Sequence, residues 1–441
     1  MRRLYFRRPV LSWALYDWAN SAFATTVMAG FFPVFYSGIT GHLSAEDSQF
    51  WFNMTLAAAS LVVAVAAPIL GAIADRGGSR KRFLAAFAFV GILMTAALAW
   101  IHAGEWWVGL LLYGLGTVGF TGANVFYDSM LPTVAERKQL DVVSAYGFAM
   151  GYIGGGLLFA LNVLMVQHPG WFGLDSAGAA VRASFLSVAV WWAVFSVPLM
   201  LFVEERPVPD APRGMAAVRE GLAQLAGTLR KVRQMRVLLV FLVGYWLYID
   251  GVNTVMKTAV FFGDRVLGLP STALVTALLV TQFVAFPAAL AFGWIGERIG
   301  PRRGILIGLA VYLGAIVYAW RFLDDSADFY ALAVAIGLVQ GGVQSLSRSL
   351  YARMVPARMA GEFFGFYNMV GKFAAILGPV LLGLTPLVIP GATTRDSILS
   401  LGLLFVLGGI LLWRVDPVAG ARLADELDAS AEKMQRLERE S

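Results

Sequence analysis

The segment GAIADRGGSRKR occupies residues 71–82, at the end of a long apolar stretch. A related segment, GWIGERIGPRR, occupies residues 293–303 and also follows an apolar stretch. In each segment a glycine precedes an acid and an arginine, and a second glycine precedes a basic cluster. This repeat predicts that the chain consists of two similar halves.

The composition predicts an integral membrane protein. Of the 441 residues, 59% are hydrophobic and only 14% are charged, whereas about 25% are charged in an ordinary soluble domain. Uncharged runs recur that are long enough for a helix to cross about 30 Å of hydrocarbon. We predict twelve spans, numbered 1 to 12: Val10–Tyr36, Phe50–Ala74, Phe83–Ile101, Trp106–Leu131, Val142–Val166, Ala183–Val203, Val237–Phe262, Ser271–Ile295, Gly304–Phe322, Phe329–Tyr351, Phe363–Leu387 and Ile398–Trp413.

The distribution of Lys and Arg predicts the orientation. With both termini inside, and with Arg348 counted in the loop that it approaches, the inner segments hold 28 of the 34 basic residues, the outer segments hold five, and Lys372 lies within a span. By the positive-inside rule we expect both termini to be cytoplasmic, in the inner membrane of a bacterium. The net charge of +6 therefore reflects membrane topology and does not indicate a nucleic-acid partner.

The spans predict four regions. Residues 1–203 form a six-helix bundle, 204–236 a cytoplasmic linker, 237–415 a second six-helix bundle and 416–441 a cytoplasmic tail. Apolar residues recur at helical spacing in the linker and in the tail, which predicts amphipathic helices on the membrane surface. The fold class is an all-α integral membrane protein, and we expect it to be a monomer surrounded by lipid.

Polar residues inside the spans are the candidate binding residues, since an ionisable group within a membrane is expensive and usually functional. Asp17 with Asn20 and Asp250 with Asn253 each place an acid and an amide on one face of a helix. The other candidates are Asn124, Gln344, Arg348, Asn368 and Lys372, and Asp128 is a further buried charge. Two alternatives remain open: Asp17 and Asp250 could form structural ion pairs, for example with Lys372, and Arg348 could reach the membrane surface or bind lipid phosphate.

The repeated segment resembles the signature between spans 2 and 3 of the major facilitator superfamily. Similarity to one particular family of this superfamily is found in four stretches: Tyr16–Phe23, Gly151–Gly156, Gln344–Leu350 and Glu362–Pro379. These stretches resemble the "unknown major facilitator" family, which is related to the autophagy-associated vacuolar amino-acid effluxers of fungi. The resemblance implies that spans 1, 4, 7 and 10 line a central cavity. It also implies that spans 3, 6, 9 and 12 face lipid.

The resemblance also assigns gating roles in the repeated segments, to Asp75, Arg76, Glu297 and Arg298. An acid at the end of one helix can accept hydrogen bonds from the N-terminus of another. In the superfamily this contact latches the two halves together on the cytoplasmic side. The alternative is that these charges only set the topology, which explains the basic residues but not the acids.

Other classes of protein are disfavoured. The chain has no cysteine and no histidine within a span, and it lacks the Walker, HExxH and GxSxG motifs, so no enzyme, cofactor or metal site is predicted. Gly147, Gly151 and Gly155 favour close helix packing. We expect a secondary transporter that moves an amino acid or similar zwitterion by alternating access. A coupling proton is a further expected partner, although the arginine that many proton-coupled relatives carry early in span 4 is absent.

Two alternatives to this function remain open. The first is an exporter of lipids, lysolipids or drugs on the same scaffold, which would need a lateral opening with few buried charges. The second is a non-transporting membrane sensor, which would need a larger domain outside the membrane than the chain provides.

Overall fold

The computed structural model describes residues 2–41, 43–205, 215–232, 235–265, 267–374, 376–388 and 393–440. Regular structure in these residues is entirely helical. Twelve helical segments among them are long and apolar enough to cross a membrane, in agreement with the predicted number. Two bundles of six helices follow one another along the chain.

The first bundle contains spans 1 to 6. Span 1 is built from Arg8–Ala22, Phe23–Phe31 and Phe32–Ile39, after a short helix Arg2–Tyr5. The remaining helices, in chain order, are Ala45–Gly77, Arg80–Ala97 with Leu98–Trp100, Trp106–Ser129 with Leu131–Val134, Arg137–Gln139 with Leu140–Gln167, and Ala177–Phe202 after the turn Pro169–Phe172.

The second bundle contains spans 7 to 12. Its helices, in chain order, are Arg236–Arg265, Ser271–Ile299, Pro301–Phe322, Ser326–Met354, the pair Ala360–Phe373 and Leu377–Val388 after the turn Ala357–Met359, and the pair Thr394–Ser400 and Gly402–Trp413. The linker helix (Met215–Val232) joins the bundles, and the C-terminal helix (Pro417–Glu440) follows the last span.

Glycines end two equivalent helices. Gly78, after span 2, has a φ of 55°, and Gly300, after span 8, has a φ of 88°. A side chain is disfavoured at such positive φ values, so glycine allows the chain to turn directly into the next span. This requirement accounts for one of the glycines that recur in the two segments at 71–82 and 293–303.

Glycines also bring the two bundles together near one end. At Gly365 on span 11, an added Cβ would lie 2.6 Å from the Pro68 backbone of span 2. At Gly293 on span 8, an added Cβ would lie 2.6 Å from Ala145 on span 5. This end carries the basic segments 80–82, 137–138 and 302–303, and we call it the basic side. Spans 3, 6, 9 and 12 expose apolar side chains, among them Phe89, Val194, Val311 and Ile410.

Two spans depart from the continuous α-helices that the apolar runs predicted. Span 1 is a π-helix over Phe23–Phe31, a rare geometry that often occurs near functional sites. Span 11, predicted over Phe363–Leu387, is confirmed as a membrane span within 357–388, but its helix is interrupted. Its first helix ends at Phe373 and its second begins at Leu377. Hydropathy could not reveal the break, because the residues around it are apolar or small.

The two amphipathic helices pack against the bundle on the basic side. On the linker helix, Gln224 donates a hydrogen bond to Glu362 of span 11 at 2.8 Å. On the C-terminal helix, Asp425 pairs with Arg137 at 2.6 Å and Asp428 accepts from the Ala357 N–H at 3.0 Å. Both helices are therefore bonded to the membrane-spanning bundles.

Candidate functional site

Arg348 is buried near the basic side of span 10, and its guanidinium contacts the first bundle. Nη1 donates to Asp128 on span 4 at 2.9 Å. Nε and Nη2 donate to the hydroxyl and the carbonyl oxygen of Ser144 on span 5, at 2.9 and 2.8 Å. The side chain is only 3% exposed, so it does not extend to the membrane surface. It links the two bundles instead.

Asp17 lies beside this pair and completes what we call the central charge cluster (Asp17, Asp128 and Arg348). Its Oδ2 atom is 3.8 Å from Arg348 Nη1, and it accepts a hydrogen bond from the Tyr127 hydroxyl at 3.2 Å. The second oxygen of Asp128 accepts from the Asn368 amide at 3.3 Å. Two carboxylates therefore share one guanidinium in the interior of the membrane.

Aromatic rings enclose the guanidinium. Its Cζ atom lies 4.3 Å from the ring centre of Phe148, 4.9 Å from that of Trp13 and 5.4 Å from that of Tyr127. The Trp13 indole donates to the Tyr127 carbonyl at 3.0 Å, which holds these two rings in place. Cation–π contacts of this kind stabilise an arginine where water is excluded.

The glycines of span 5 border the same cluster. A Cβ added at Gly147 would lie 2.7 Å from Trp13, and one added at Gly151 would lie 2.6 Å from the Ser21 hydroxyl and 3.0 Å from Asp17 Oδ1. The close packing predicted for these glycines therefore includes direct contact between span 5 and Asp17 on span 1.

Three of the predicted amides, Asn20, Asn124 and Gln344, lie one turn farther from the basic side than the central charge cluster. Asn20 donates to Asn124 at 2.5 Å, which joins spans 1 and 4. Tyr152 of span 5 donates to Gln344 of span 10 at 3.2 Å. Gln340 Oε1 is buried and has no hydrogen-bond partner among the described residues. These groups form a polar layer that extends from the cluster toward the membrane centre.

Asp250 and Asn253 belong to a different constellation, at the break in span 11. The Asp250 carboxylate accepts from the backbone N–H groups of Ile376, Leu377 and Gly378, at 2.9 to 3.0 Å. Asn253 donates to the Ala374 carbonyl at 2.9 Å. These bonds satisfy polar groups that the break leaves without helical partners. In this conformation both side chains hold span 11 and do not join the central charge cluster.

Lys372 lies in the last turn of the first helix of span 11. A cation is favoured there because the C-terminal end of a helix carries partial negative charge. Its side chain is half-buried, and it precedes the break that Asp250 holds together. The backbone contacts give Asp250 a role that the sequence did not predict, and the ion pair with Lys372 stays a prediction.

Asp75 connects the two bundles at the end of span 2. Its carboxylate accepts from the N–H groups of Gly361 and Glu362, at 3.0 and 2.8 Å, at the beginning of span 11. The cation that pairs with it is Arg80, at 2.6 Å, whereas Arg76 is exposed. This is the geometry that a latch on the basic side requires.

The second repeat differs from the first. Glu297 and Arg298, the counterparts of Asp75 and Arg76, are both exposed, and Arg298 stacks on Trp294 at 4.1 Å. Asp141, at the beginning of span 5, instead accepts from Ser349 and Arg353 of span 10, each at 2.6 Å. The contacts between the bundles therefore differ on the two sides of the repeat, although the segments 71–82 and 293–303 are similar in sequence.

Comparison with known proteins agrees with this architecture. The model of the family described as "Vacuole effluxer Atg22 like" matches residues 6–425. The chain belongs to this family.

Relatives of this Atg22-like chain extend over most of its length. An uncharacterized MFS-type transporter of Bacillus subtilis, YxiO, is 38% identical over 92% of this chain and 94% of its own. The autophagy-related protein 22 of Yarrowia lipolytica is 25% identical over 74% of this chain and 68% of its own. The Atg22-like chain is thus a transporter of the major facilitator superfamily, and not an enzyme.

Solved structures show the same fold. FucP in its outward conformation aligns with a TM-score of 0.69 at 12% identity, over 94% of this chain and 99% of its own. The proton:xylose symporter XylE aligns with a TM-score of 0.64 at 14% identity, over 92% of this chain and 94% of its own. At such low identity these similarities concern the fold alone.

Several residues of the Atg22-like site were missing from the predicted set of binding residues. Asp128 was recognised as a buried charge but not as a site residue, and Ser144, Trp13, Tyr127 and Phe148 carried no separate signal. Asp128 and Arg348 lie 220 residues apart in the sequence, so no local spacing relates them. Their contact across the bundles depends on the packing of spans 4, 5 and 10.

Proposed function

We propose that the protein is a secondary active transporter of a small zwitterion, such as a neutral amino acid, that works by alternating access. The observation that supports this most directly is the central charge cluster, in which two membrane-buried carboxylates share one arginine. If both acids are ionised, the cluster carries one uncompensated negative charge. Such a charge is expensive inside a membrane, so a proton or the ammonium group of a substrate would stabilise it.

The proposed site includes further polar groups from spans 1, 4, 10 and 11. We propose that Asp17 binds the ammonium group, because it lies 3.8 Å from Arg348 Nη1, whereas Asp128 accepts a hydrogen bond from that atom at 2.9 Å. The amides of Asn20, Asn124, Gln344 and Asn368 would contribute polar contacts, and Lys372 would bind the substrate carboxylate. We assign Asp250 and Asn253 to positioning span 11, since their polar atoms already bond to its backbone.

We further propose that the basic side faces the cytoplasm and is closed in this conformation. The positive-inside distribution supports the orientation. The bonds of Arg348 and Asp75 across the bundles support closure on that side. Alternating access would then require these bonds to break when the site opens to the cytoplasm.

Transport by purified protein in liposomes tests the proposal. Exchange of radiolabelled neutral amino acids should be measured with the wild type, Asp17→Asn and the exposed control Asp175→Asn. We expect exchange with the wild type and the control, and loss of exchange with Asp17→Asn at equal protein content. Dependence of uphill uptake on an imposed pH gradient would identify a proton as the coupling ion.

The same preparation distinguishes the alternatives. Movement of a fluorescent lysolipid without exchange of any amino acid would contradict the zwitterion proposal and favour a lipid exporter. Amino-acid exchange that is unchanged in Asp17→Asn would leave the substrate class but refute the assigned site.

A further inference from the structure

The beginning of span 3 is capped by a carboxylate from another part of the chain. Glu205, which follows span 6, accepts from the backbone N–H of Arg80 and, at 3.4 Å, from that of Lys81. The Lys81 ammonium group donates to the carbonyls of Met200 and Val203, both at 2.7 Å. In the first repeat, Arg80 and Lys81 are thus bonded within the protein.

The equivalent segment of the second repeat lacks this carboxylate. Span 9 begins at Pro301 after Gly300, without a side-chain cap. Arg302 donates to the carbonyls of Trp413 and Val415, at 3.3 and 2.6 Å, in the manner of Lys81. Among the described residues, no carboxylate accepts from the backbone N–H of Arg302 or Arg303.

An open cleft of about 770 Å³ lies at this position, and we call it the basic cleft. The first bundle contributes Arg137 and Lys138, and the second contributes Arg302, Arg303 and Arg353. The first residues of the C-terminal helix, from Pro417 to Ala421, form a third wall. The cleft therefore lies between both bundles and the tail.

The charges of the basic cleft do not cancel. Its five cations face two acids, Asp141 and Glu297. Asp141 is bound by Arg353 at 2.6 Å, and Arg137 pairs with Asp425 on the rim at 2.6 Å. Lys138 and Arg303 have no acidic partner within salt-bridge distance among the described residues, and both are exposed to the cleft side of the protein surface.

We propose that the basic cleft binds a phosphate group, carried either by an anionic phospholipid headgroup or by a free phosphate compound. The phosphate binds at the beginning of span 9, in the position equivalent to that of the Glu205 carboxylate at the beginning of span 3. Arginines and helix N-termini are well suited to phosphate oxygens, because both direct N–H groups at them. A phosphate bound there contacts cations of both bundles and therefore stabilises the conformation that is closed on the basic side.

Ligand-dependent thermal unfolding of the full chain in an uncharged detergent tests the proposal. The probes are dihexanoyl-phosphatidylglycerol, dihexanoyl-phosphatidylcholine and inorganic pyrophosphate. The cleft variant is Lys138→Gln with Arg303→Gln. The matched control is Arg82→Gln with Arg219→Gln, which removes the same charge from exposed positions outside the cleft. We expect the cleft variant to weaken binding by about tenfold, and the control to leave it within about twofold of wild type.

The probes separate the two sources of phosphate. Stabilisation by phosphatidylglycerol alone assigns the cleft to lipid headgroups, and stabilisation by pyrophosphate assigns it to free phosphate compounds, provided that the cleft variant weakens either effect. Equal weakening by the two double variants would assign the effect to net charge and overturn the proposal. The absence of stabilisation by either anion, or equal stabilisation by phosphatidylcholine, would also overturn it.

Discussion

Arg348 on span 10 and Asp128 on span 4 lie 2.9 Å apart and connect the two bundles through a buried, charged hydrogen bond. Both residues are near the basic side of their spans, so their separation is coupled to opening on that side. Removing one member of a buried pair leaves the other charge without a partner, at a cost of about 3–5 kcal/mol. The pair is therefore a candidate switch between conformations.

Arg348→Gln should shift the protein toward conformations that are open on the basic side. The substitution leaves Asp17 and Asp128 without their shared cation. This raises the free energy of the closed conformation relative to the open conformations. Because the chain contains no cysteine, spin labels can be attached at Arg82→Cys and Ile299→Cys, and their distance distribution measured. Arg321→Gln, an exposed arginine at the opposite end, is the control. Identical distributions in all three backgrounds would show that the pair does not set the equilibrium.

Asp75→Asn should have a similar but smaller effect. The charge interacts with the N-terminus of span 11 and with Arg80, and a contact of this kind contributes about 1–2 kcal/mol. Glu297→Gln is the matched control, because Glu297 is the repeat counterpart of Asp75 but is exposed. The same pair of spin labels reports on both variants. An equal response to the two substitutions would argue for a general effect of charge rather than a latch at Asp75.

Asp250→Ala should destabilise the protein and abolish transport. Three backbone N–H groups of span 11 would lose a charged acceptor inside the membrane, at a cost of at least about 3 kcal/mol. Thermal unfolding should show a clearly lower midpoint, with Asp175→Ala in an exposed loop as the control. An unchanged midpoint together with lost ligand binding would instead favour direct contact between Asp250 and the substrate.

The double variant Asp250→Ala with Lys372→Ala separates two structural roles of Asp250. If the acid mainly holds the span 11 backbone, removal of the lysine cannot restore the lost hydrogen bonds, and transport stays absent. Recovery of transport in the double variant, at wild-type protein levels, would identify an Asp–Lys ion pair as the essential interaction.

Gly151→Ala should impair transport without preventing insertion into the membrane. The new methyl group would lie 2.6 Å from the Ser21 hydroxyl and 3.0 Å from Asp17, so span 5 or the acid must shift. Gly314→Ala is the control, since an added Cβ there meets no atom within 4 Å and should stabilise the helix by about 0.5–1 kcal/mol. Exchange rates and unfolding midpoints of both variants check the prediction. A wild-type exchange rate in Gly151→Ala would mean that the cluster tolerates this shift.

The sequence by itself determined the number of spans, the internal repeat and the family. These properties depend on hydropathy over about 20 residues and on short local motifs. Both can be recognised in a sequence without knowledge of how the helices pack. It also indicated that Asp17, Asp128, Asp250, Arg348 and Lys372 need partners, because charged groups in a membrane are costly.

Only the tertiary structure decided which partners these charges have. Asp17 and Asp250 occupy similar positions in the two sequence halves, yet Asp17 approaches Arg348 and Asp250 binds the backbone of span 11. Likewise, Asp75 and Glu297 share a motif, but only Asp75 accepts from the beginning of a span in the other bundle. The reason is physical: hydrogen bonds form over about 3 Å, and distances of that size are set by how helices far apart in the chain pack together.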